Sequence, residues 1–280
     1  MIEDNLRLVL EKNRDKNVLY LRNLLKEQLQ YLVLNYICNS SYGDKFLFKG
    51  GTSLRFCFDL PRLSEDLDFD VEDYENFDFN KFTNEIKNYF FSKLKYKDIN
   101  IKIAGRNRII YLKFPILNKI KFPIRQDKPS ENDLFVRIDL SSIKGKNFKK
   151  DITLKSTYDF SFIIKRYSVE DLFSSKIAAI LSRETWEGKI KKPRFKGRDY
   201  FDIFWLQEKG FVPNFKYLIT ILPYTSETKI KKALKIKLED ASKKREELRK
   251  DLSPFFEDQK FINDFISNFD QFAYKFLKSL

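Results

Sequence analysis

Residues 46–69, FLFKGGTSLRFCFDLPRLSEDLDF, contain a pattern suited to phosphate chemistry. A short apolar run ends at Lys49 and is followed by Gly50, Gly51 and the hydroxyl residues Thr52 and Ser53. Glycines at a strand-to-helix turn let the main chain approach phosphate oxygens, and the first turn of a helix has free N–H groups to bind them. A Gly-Gly pair alone usually marks only a turn, so the phosphate-binding prediction depends on its surroundings.

The surroundings include two carboxylates, Asp66 and Asp68, on the next predicted strand. Residues at i and i+2 of a strand point to the same face, where two carboxylates can hold a divalent cation. Three further acids, Glu65, Asp70 and Glu72, crowd the same segment, and such crowding is costly unless a cation is bound there. Acids on an edge strand can also simply face solvent, but the neighbouring glycine turn favours a site for a nucleoside triphosphate and its metal ions.

A third carboxylate, Asp139, lies in the predicted strand FVRIDL, residues 135–140. Phe135, Arg137 and Asp139 share one face of this strand, and the aliphatic residues share the other. On a neighbouring strand, Asp139 would complete a two-metal site or accept the proton of an attacking hydroxyl. The alternative is an exposed strand acid.

Lys176, Asp199 and Asp202 are candidates in two predicted helices. Lys176 lies on or beside the apolar stripe of SVEDLFSSKIAAILSRE, residues 168–184, where a lysine either extends to solvent or binds a phosphate. Asp199 and Asp202, in RDYFDIFWL, lie three residues apart on one helical face, so either could pair with Lys176 and orient it. Asp199 could also be an N-terminal helix acid favoured by the helix dipole.

The chain has no histidine, which excludes Ser-His-Asp and Cys-His catalysis and histidine-bound zinc. Any catalysis must use Asp, Glu, Lys, Arg and hydroxyls, which favours phosphoryl or nucleotidyl transfer with a metal. The spacing of Cys38 and Cys57 fits no zinc motif, and so few thiols suit a reducing compartment.

A formal net charge of +14 predicts a polyanionic partner such as RNA or DNA, although a Lys-, Asn-, Ile- and Phe-rich composition typical of A/T-rich genomes can supply part of the excess. The charge is clustered, with aromatic Trp186 and Phe195 nearby to stack on bases. A second basic run extends from Lys229 to Lys250. The predicted RNA-binding residues are Lys189, Lys191, Lys192, Arg194 and Lys196.

Hydrophobic periodicity predicts an α+β protein with a mixed sheet, followed by an all-helical C-terminal part. The predicted domains are an α/β domain at 1–165 and a helical domain at 166–280 that completes the active-site cleft. The predicted helices after residue 165 span 168–183, 197–209, 214–222, 227–250 and 258–279. No apolar run approaches the about 20 residues of a membrane span, and the charged N-terminus has no signal-peptide pattern, so we expect a soluble cytoplasmic protein.

Four motifs, in this order, resemble those of the AbiEii/AbiGii-type nucleotidyltransferase toxins of the DNA polymerase β-like superfamily. They are KGGTSL (49–54), RLSEDLDF (62–69), the helix around Lys176 and RDYFDIFWL (198–206). Four ordered motifs are more specific than any one of them. The resemblance covers roughly residues 20–210, and beyond that the chain resembles the family only in being helical.

The resemblance implies a toxin of a bacterial toxin–antitoxin or phage-defence (abortive infection) system, opposed by a separately encoded antitoxin. Family members transfer nucleotides from an NTP, and some modify tRNA 3′ ends. By motif, Gly50, Gly51 and Ser53, with their neighbours Lys49 and Thr52, would hold the triphosphate, and Asp66 and Asp68 would bind Mg²⁺. Lys176 would bind phosphate, the late acid would be Asp199 or Asp202, and Asp139 would be the third acid, a position that varies between relatives.

The resulting hypothesis is a Mg²⁺-dependent nucleotidyltransferase acting on the 3′-OH of tRNA, with two metal ions. One alternative is the same chemistry on a protein or small-molecule hydroxyl, although a net charge of +14 favours RNA over a cationic antibiotic. Another is a non-catalytic RNA- or partner-binding module. The presence of Gly-Gly, Asp-x-Asp and Lys together argues against that alternative.

Overall fold

The structure is a computed structural model that describes residues 2–105, 108–123, 132–157, 159–187 and 190–280, without the side chains of 185–187 and 190–193. The chain divides into two compact units. We call Met1–Ile143 with Ile152–Arg166 the sheet unit, and Lys144–Asp151 with Tyr167–Leu280 the helical unit.

In the part of the chain that the structure describes, seven strands form one mixed sheet in the order β3-β4-β5-β2-β1-β7-β6. The strands are β1 (Phe46–Lys49), β2 (Asp66–Val71), β3 (Asn100–Ala104), β4 (Ile109–Phe114), β5 (Leu134–Ser142), β6 (Lys150–Ser156) and β7 (Ser161–Tyr167). The helices of the sheet unit are α1 (Ile2–Lys12), α2 (Val18–Cys38), α3 (Gly50–Phe58) and α4 (Phe79–Asn88), the last continued by a π-helical turn. Strand β2 lies antiparallel to β1 and parallel to β5. The three strands that carry candidate residues are therefore adjacent.

Strand β5 shows why the sheet has this register. Four aliphatic side chains on one face are fully buried, while Phe135, Arg137 and Asp139 on the other face are half-buried. Burying each aliphatic side chain contributes about 1.5–3 kcal/mol, and a slip of one residue would turn all four outward. Burial of the aliphatic face therefore determines which residues of β2 lie beside Asp139.

The predicted α+β fold class, with a mixed sheet followed by helices, is confirmed. The prediction for β1 to β5 was also correct, but β6 and β7 were not identified. Strand β6 lies at the edge of the sheet, and its two aliphatic side chains, Ile152 and Leu154, are 64% and 68% exposed. A strand whose few apolar residues face solvent has no clear hydrophobic pattern.

The helical unit contains seven α-helices and a two-stranded hairpin within the described residues. They are α5 (Val169–Ser182), the hairpin β8 (Glu184–Glu187) and β9 (Ile190–Pro193), α6 (Gly197–Glu208), α7 (Phe215–Ile221), α8 (Glu227–Ser242), α9 (Arg245–Leu252), α10 (Gln259–Ser267) and α11 (Phe269–Ser279). The predicted helices 227–250 and 258–279 are each two helices. At the second break the Asn268 side-chain amide donates to the Asp264 carbonyl (2.8 Å), which ends α10. None of the described helices is both long and apolar enough to span a bilayer.

An ion pair between a buried glutamate and a half-buried arginine joins α2 to α3, the helix that follows the glycine turn. Glu27 on α2 is 4% exposed, and its two carboxylate oxygens accept from Arg55 Nε (2.8 Å) and Nη2 (3.1 Å). Arg55 Nη1 also donates to the Leu60 carbonyl (3.0 Å). This two-armed contact holds α3 against α2 and so helps to fix the glycine turn.

We predict that Glu27→Gln lowers the free energy of unfolding by about 2 kcal/mol, because it leaves a half-buried guanidinium without its carboxylate. Urea denaturation followed by circular dichroism measures this change. The matched control is Glu11→Gln on α1, whose partner Arg14 lies 3.5 Å away and is largely exposed. That substitution should change stability by less than about 0.5 kcal/mol, and equal effects would contradict the prediction.

Candidate active site

Gly50 and Gly51 form the turn from β1 into α3. Gly50 has a φ of +80°, a left-handed backbone that favours glycine. A Cβ atom on Gly50 would lie 2.2 Å from Asp68 Oδ2, and one on Gly51 would lie 2.7 Å from Arg62 Nη2. At Gly50 the left-handed backbone and the carboxylate leave no room for a side chain, and at Gly51 a Cβ would have to displace the Arg62 guanidinium. The first turn of α3 is thus held directly against a carboxylate of β2.

The hydroxyls of Thr52 and Ser53 are buried beneath this turn. The Thr52 hydroxyl donates to the main-chain carbonyl of Asp66 and lies 2.8 Å from Ser64 Oγ. Ser53 is also fully buried, and its hydroxyl has no hydrogen-bond partner among the described residues. Burial raises the pKa of the neighbouring Cys57 thiol to about 11. Both hydroxyls are thus buried within the sheet unit, which leaves the main-chain N–H groups of the first helical turn as the donors for a ligand.

The three candidate carboxylates lie on two adjacent parallel strands. In the register of β2 and β5, Asp66 is beside Arg137 and Asp68 is beside Asp139. Cross-strand neighbours share a face, and so do residues i and i+2, so all three carboxylates are on one face of the sheet. As the structure stands, no three acidic, cysteine or histidine side chains of the described residues converge closely enough to hold a metal ion.

The guanidinium of Arg137 contacts two of these three acids. Arg137 Nη2 donates to Asp139 Oδ2 (2.7 Å), and Nη1 lies 3.6 Å from Asp66 Oδ2. Asp68 makes no ion pair within the described part of the chain. Burial raises the pKa of Asp139, and the nearby Asp68 carboxylate raises it further, while Arg137 acts in the opposite direction. Like charges are therefore crowded here, and one arginine neutralises part of them.

Lys49, the predicted triphosphate ligand at the end of β1, is bound to neighbouring side chains. Lys49 Nζ lies 2.6 Å from Asp70 Oδ1 and donates to Ser141 Oγ (2.8 Å), and the Ser141 hydroxyl donates to the same Asp70 oxygen (2.7 Å). Asp70 is buried, so this ammonium compensates a charge that would otherwise be unfavourable. Lys49 thus holds Asp70 in the sheet, next to the Asp66–Asp68 pair.

In the helical unit, Lys176 contacts both late acids. Lys176 Nζ is 3.0 Å from Asp199 Oδ1 and 2.7 Å from Asp202 Oδ2, and all three residues are buried. Arg183 Nη2 lies 2.9 Å from the other oxygen of Asp199. Burial alone would raise the pKa of Asp199, but Lys176, Arg183 and Lys196 together hold it below its ordinary value. Both aspartates are therefore partners of Lys176, and Asp199 also binds Arg183.

The predicted RNA-binding residues do not form one described surface. Lys189 lies outside the described residues, and Lys191 and Lys192 are in β9 with side chains that are not described. Arg194 is exposed, whereas Lys196 is half-buried near Asp199. Lys196 thus belongs with the buried charges around Lys176.

Sequence reasoning missed three arginines at these sites. Arg62, only 2% exposed, lies against Gly51 within the RLSEDLDF motif, and Arg137 precedes Asp139 by two residues on the same strand face. The alternation rule that selected Asp139 also placed Arg137 on that face, so its contact could have been anticipated. Arg183 lies seven residues, about two turns, after Lys176, which is the available signal for its contact with Asp199.

Most of the chain, residues 32–276, matches the family model for the nucleotidyl transferase AbiEii toxin of type IV toxin–antitoxin systems. The chain belongs to the AbiEii toxin family. The predicted family is therefore confirmed, and a separate antitoxin is implied by the type of system. The match includes both the glycine turn with its carboxylates and the Lys176 cluster, while α1 and the first part of α2 lie outside it.

Two solved structures are weakly similar to this AbiEii-family chain. JHP933 from Helicobacter pylori shares 16% identity at a TM-score of 0.44, over 92% of this chain and 94% of the other. A candidate nucleotidyltransferase from H. pylori shares 16% identity at a TM-score of 0.46, over 92% and 97%. No curated protein matches the chain. Likenesses this weak do not bear on function.

We predict that Lys196 titrates near pH 8, because burial lowers the pKa of its ammonium from the ordinary 10.5 to about 8 despite the attraction of Asp199. Between these two values the unfolded chain binds the proton more tightly than the folded chain. Stability due to this group must therefore rise with pH across that window. Carbon-13 NMR of reductively methylated lysines measures the midpoint.

The Lys196→Arg variant identifies the Lys196 resonance, because the signal of that methylated lysine is missing from the spectrum of the variant. Lys196→Met should remove the gain in unfolding free energy between about pH 8 and 10.5. A Lys196 midpoint at or above its ordinary value would contradict the prediction.

Proposed function

We propose that this AbiEii-family protein transfers a nucleotide from an NTP to an RNA hydroxyl, with the 3′-OH of tRNA as the expected acceptor and Mg²⁺ as the metal. One observation carries the proposal, namely that the Gly50 main chain abuts the Asp68 carboxylate. A triphosphate on the first turn of α3 would then lie beside the acids of β2 and β5. A phosphate-binding turn and a group of carboxylates in contact form the minimal site for nucleotidyl transfer.

The donor set fits magnesium. Asp66, Asp68 and Asp139 offer only carboxylate oxygens, the hard ligands that Mg²⁺ prefers. Burial, and then the nearby Asp68 carboxylate, raises the pKa of Asp139, so a bound cation would stabilise its ionised form. These three residues would hold the metal, which when bound supplies positive charge to phosphate oxygens.

The chain's own groups would position the reactants. Main-chain N–H groups at the start of α3 would bind the triphosphate. The oxygen of the acceptor hydroxyl would attack the α-phosphorus, and the bond to the leaving pyrophosphate would break. Asp139 would accept the proton that the hydroxyl loses.

The Lys176 cluster would bind a phosphate group. Three cations, Lys176, Arg183 and Lys196, surround two carboxylates, Asp199 and Asp202, so the cluster has a net positive charge. Arg183 is 26% exposed and its guanidinium can contact an anion, while the aspartates hold Lys176 in place. The two aspartates would therefore act by positioning cations.

RNA is favoured over a protein or small-molecule acceptor by the net charge of +14. Exposed lysines such as Lys232 and Lys235 on α8, with Arg194 after β9, could contact a phosphate backbone. Nucleotide transfer to a protein or small-molecule hydroxyl remains the second candidate, since the chemistry at the site would be the same.

The test is incubation of the protein with Mg²⁺, total tRNA and each α-labelled NTP in turn. We expect label on tRNA with the wild type and a loss on the order of a thousandfold in Asp66→Ala, since that variant removes a metal ligand. Glu75→Ala, which removes an exposed acid of the same unit, should keep full activity.

Label on a protein or small molecule would replace RNA as the acceptor. If neither labelling nor NTP binding occurred with any acceptor, the enzymatic proposal would be wrong.

A further inference from the structure

Arg137 lies where a cation bound to Asp66 and Asp139 would be expected. Its two terminal nitrogens reach one oxygen of each carboxylate, at 3.6 Å and 2.7 Å. The same strand register that brings Asp68 beside Asp139 places Arg137 beside Asp66. The guanidinium therefore contacts the acids from the same face of the sheet.

The arginine is not tightly fixed by its surroundings. Its side chain is 33% exposed, and Asp66 and Asp139 are each 32% exposed. Its Nε is buried but has no hydrogen-bond partner among the described residues. Partly exposed ion pairs contribute little to stability, so these contacts are exchangeable.

We propose that Arg137 is a resident counter-cation of the carboxylate site, which competes with a divalent cation for Asp66 and Asp139. This inference rests on the proposed function, because it takes these acids to be the metal ligands. Arg137 neutralises the acids when the metal is absent and must leave them for the metal to bind.

The chemistry of the side chains supports competition. A guanidinium offers donors in a planar fork that matches carboxylates, but it cannot lose its proton. A positive charge held between the ligands opposes a divalent cation, and site occupancy by the arginine reduces the apparent metal affinity. The flexible stem lets a partly exposed Arg137 move towards solvent when it is displaced.

The experiment measures binding of Mn²⁺ alone, with no NTP or RNA, by electron paramagnetic resonance of the free ion. Mn²⁺ is a suitable probe because it takes the same carboxylate ligands as Mg²⁺. We expect Arg137→Gln to bind Mn²⁺ on the order of tenfold more tightly than the wild type. Asp68→Asn in the Arg137→Gln background should abolish this gain.

Lys102→Gln is the matched control. Lys102 pairs with Tyr111, which pairs with Arg137, so it lies in the same cross-strand row but two strands away. Loss of its charge, about 10 Å from Arg137, should leave the Mn²⁺ Kd nearly unchanged. An equal gain in both variants would show a general effect of net charge and overturn the proposal.

The proposal would also be overturned if Arg137→Gln gave a native circular dichroism spectrum but bound Mn²⁺ no more tightly than the wild type. Arg137 would then only organise the acids. If Arg137→Gln does not fold, Arg137→Lys decides. A lysine keeps the positive charge but lacks the planar pair of donors of the guanidinium. Tighter Mn²⁺ binding by Arg137→Lys than by the wild type therefore supports competition, and equal or weaker binding contradicts it.

The readout separates this inference from the proposed function. Tighter Mn²⁺ binding in Arg137→Gln without nucleotide transfer by the wild type would support competition and contradict the transferase. Nucleotide transfer by the wild type without the gain in Mn²⁺ affinity would support the transferase and contradict competition. Absence of Mn²⁺ binding in every variant would overturn both the metal site and the inference.

Discussion

The contact between the Gly50 main chain and the Asp68 carboxylate is the constraint on which the candidate site depends. Antiparallel pairing places Lys49 opposite Asp68, so the residue after Lys49 must pass directly over that carboxylate. Only glycine fits there, because a Cβ would overlap the carboxylate and the backbone is left-handed. The bond from the Thr52 hydroxyl to the Asp66 carbonyl ties α3 to the same strand, so turn and carboxylates form one rigid arrangement.

Each unit balances acids against cations, but the two clusters differ in burial. Asp199, Asp202 and Lys176 are almost inaccessible, so separating them would leave buried charges uncompensated. Asp66, Asp139 and Arg137 are partly exposed, and their ion pairs can exchange with solvent ions at little cost. The helical cluster is therefore suited to a permanent role in holding Lys176. The sheet cluster is suited to an exchange of cations.

Sequence reasoning succeeded where one periodicity dominated. Alternation in β5 and the glycine turn after β1 were clear in the sequence, and the ordered motifs identified the family. It failed at β6, whose Ile152 and Leu154 are exposed, and at the ends of α8 and α10, because a helical pattern in the sequence does not show where one helix ends and the next begins. The assignment of Lys196 to an RNA surface did not anticipate its position beside Asp199, because burial depends on distant packing.

By itself the sequence determined the chemistry available to this protein. The absence of histidine, the Gly-Gly turn and the i, i+2 aspartates are local properties, and strand geometry alone places Asp66 and Asp68 on one face. Tertiary structure alone decided which distant charges meet. The parallel pairing of β2 with β5 brings Arg137 to Asp66, and packing within the helical unit brings Arg183 to Asp199. These contacts depend on register and packing between segments far apart in sequence, which no local pattern specifies.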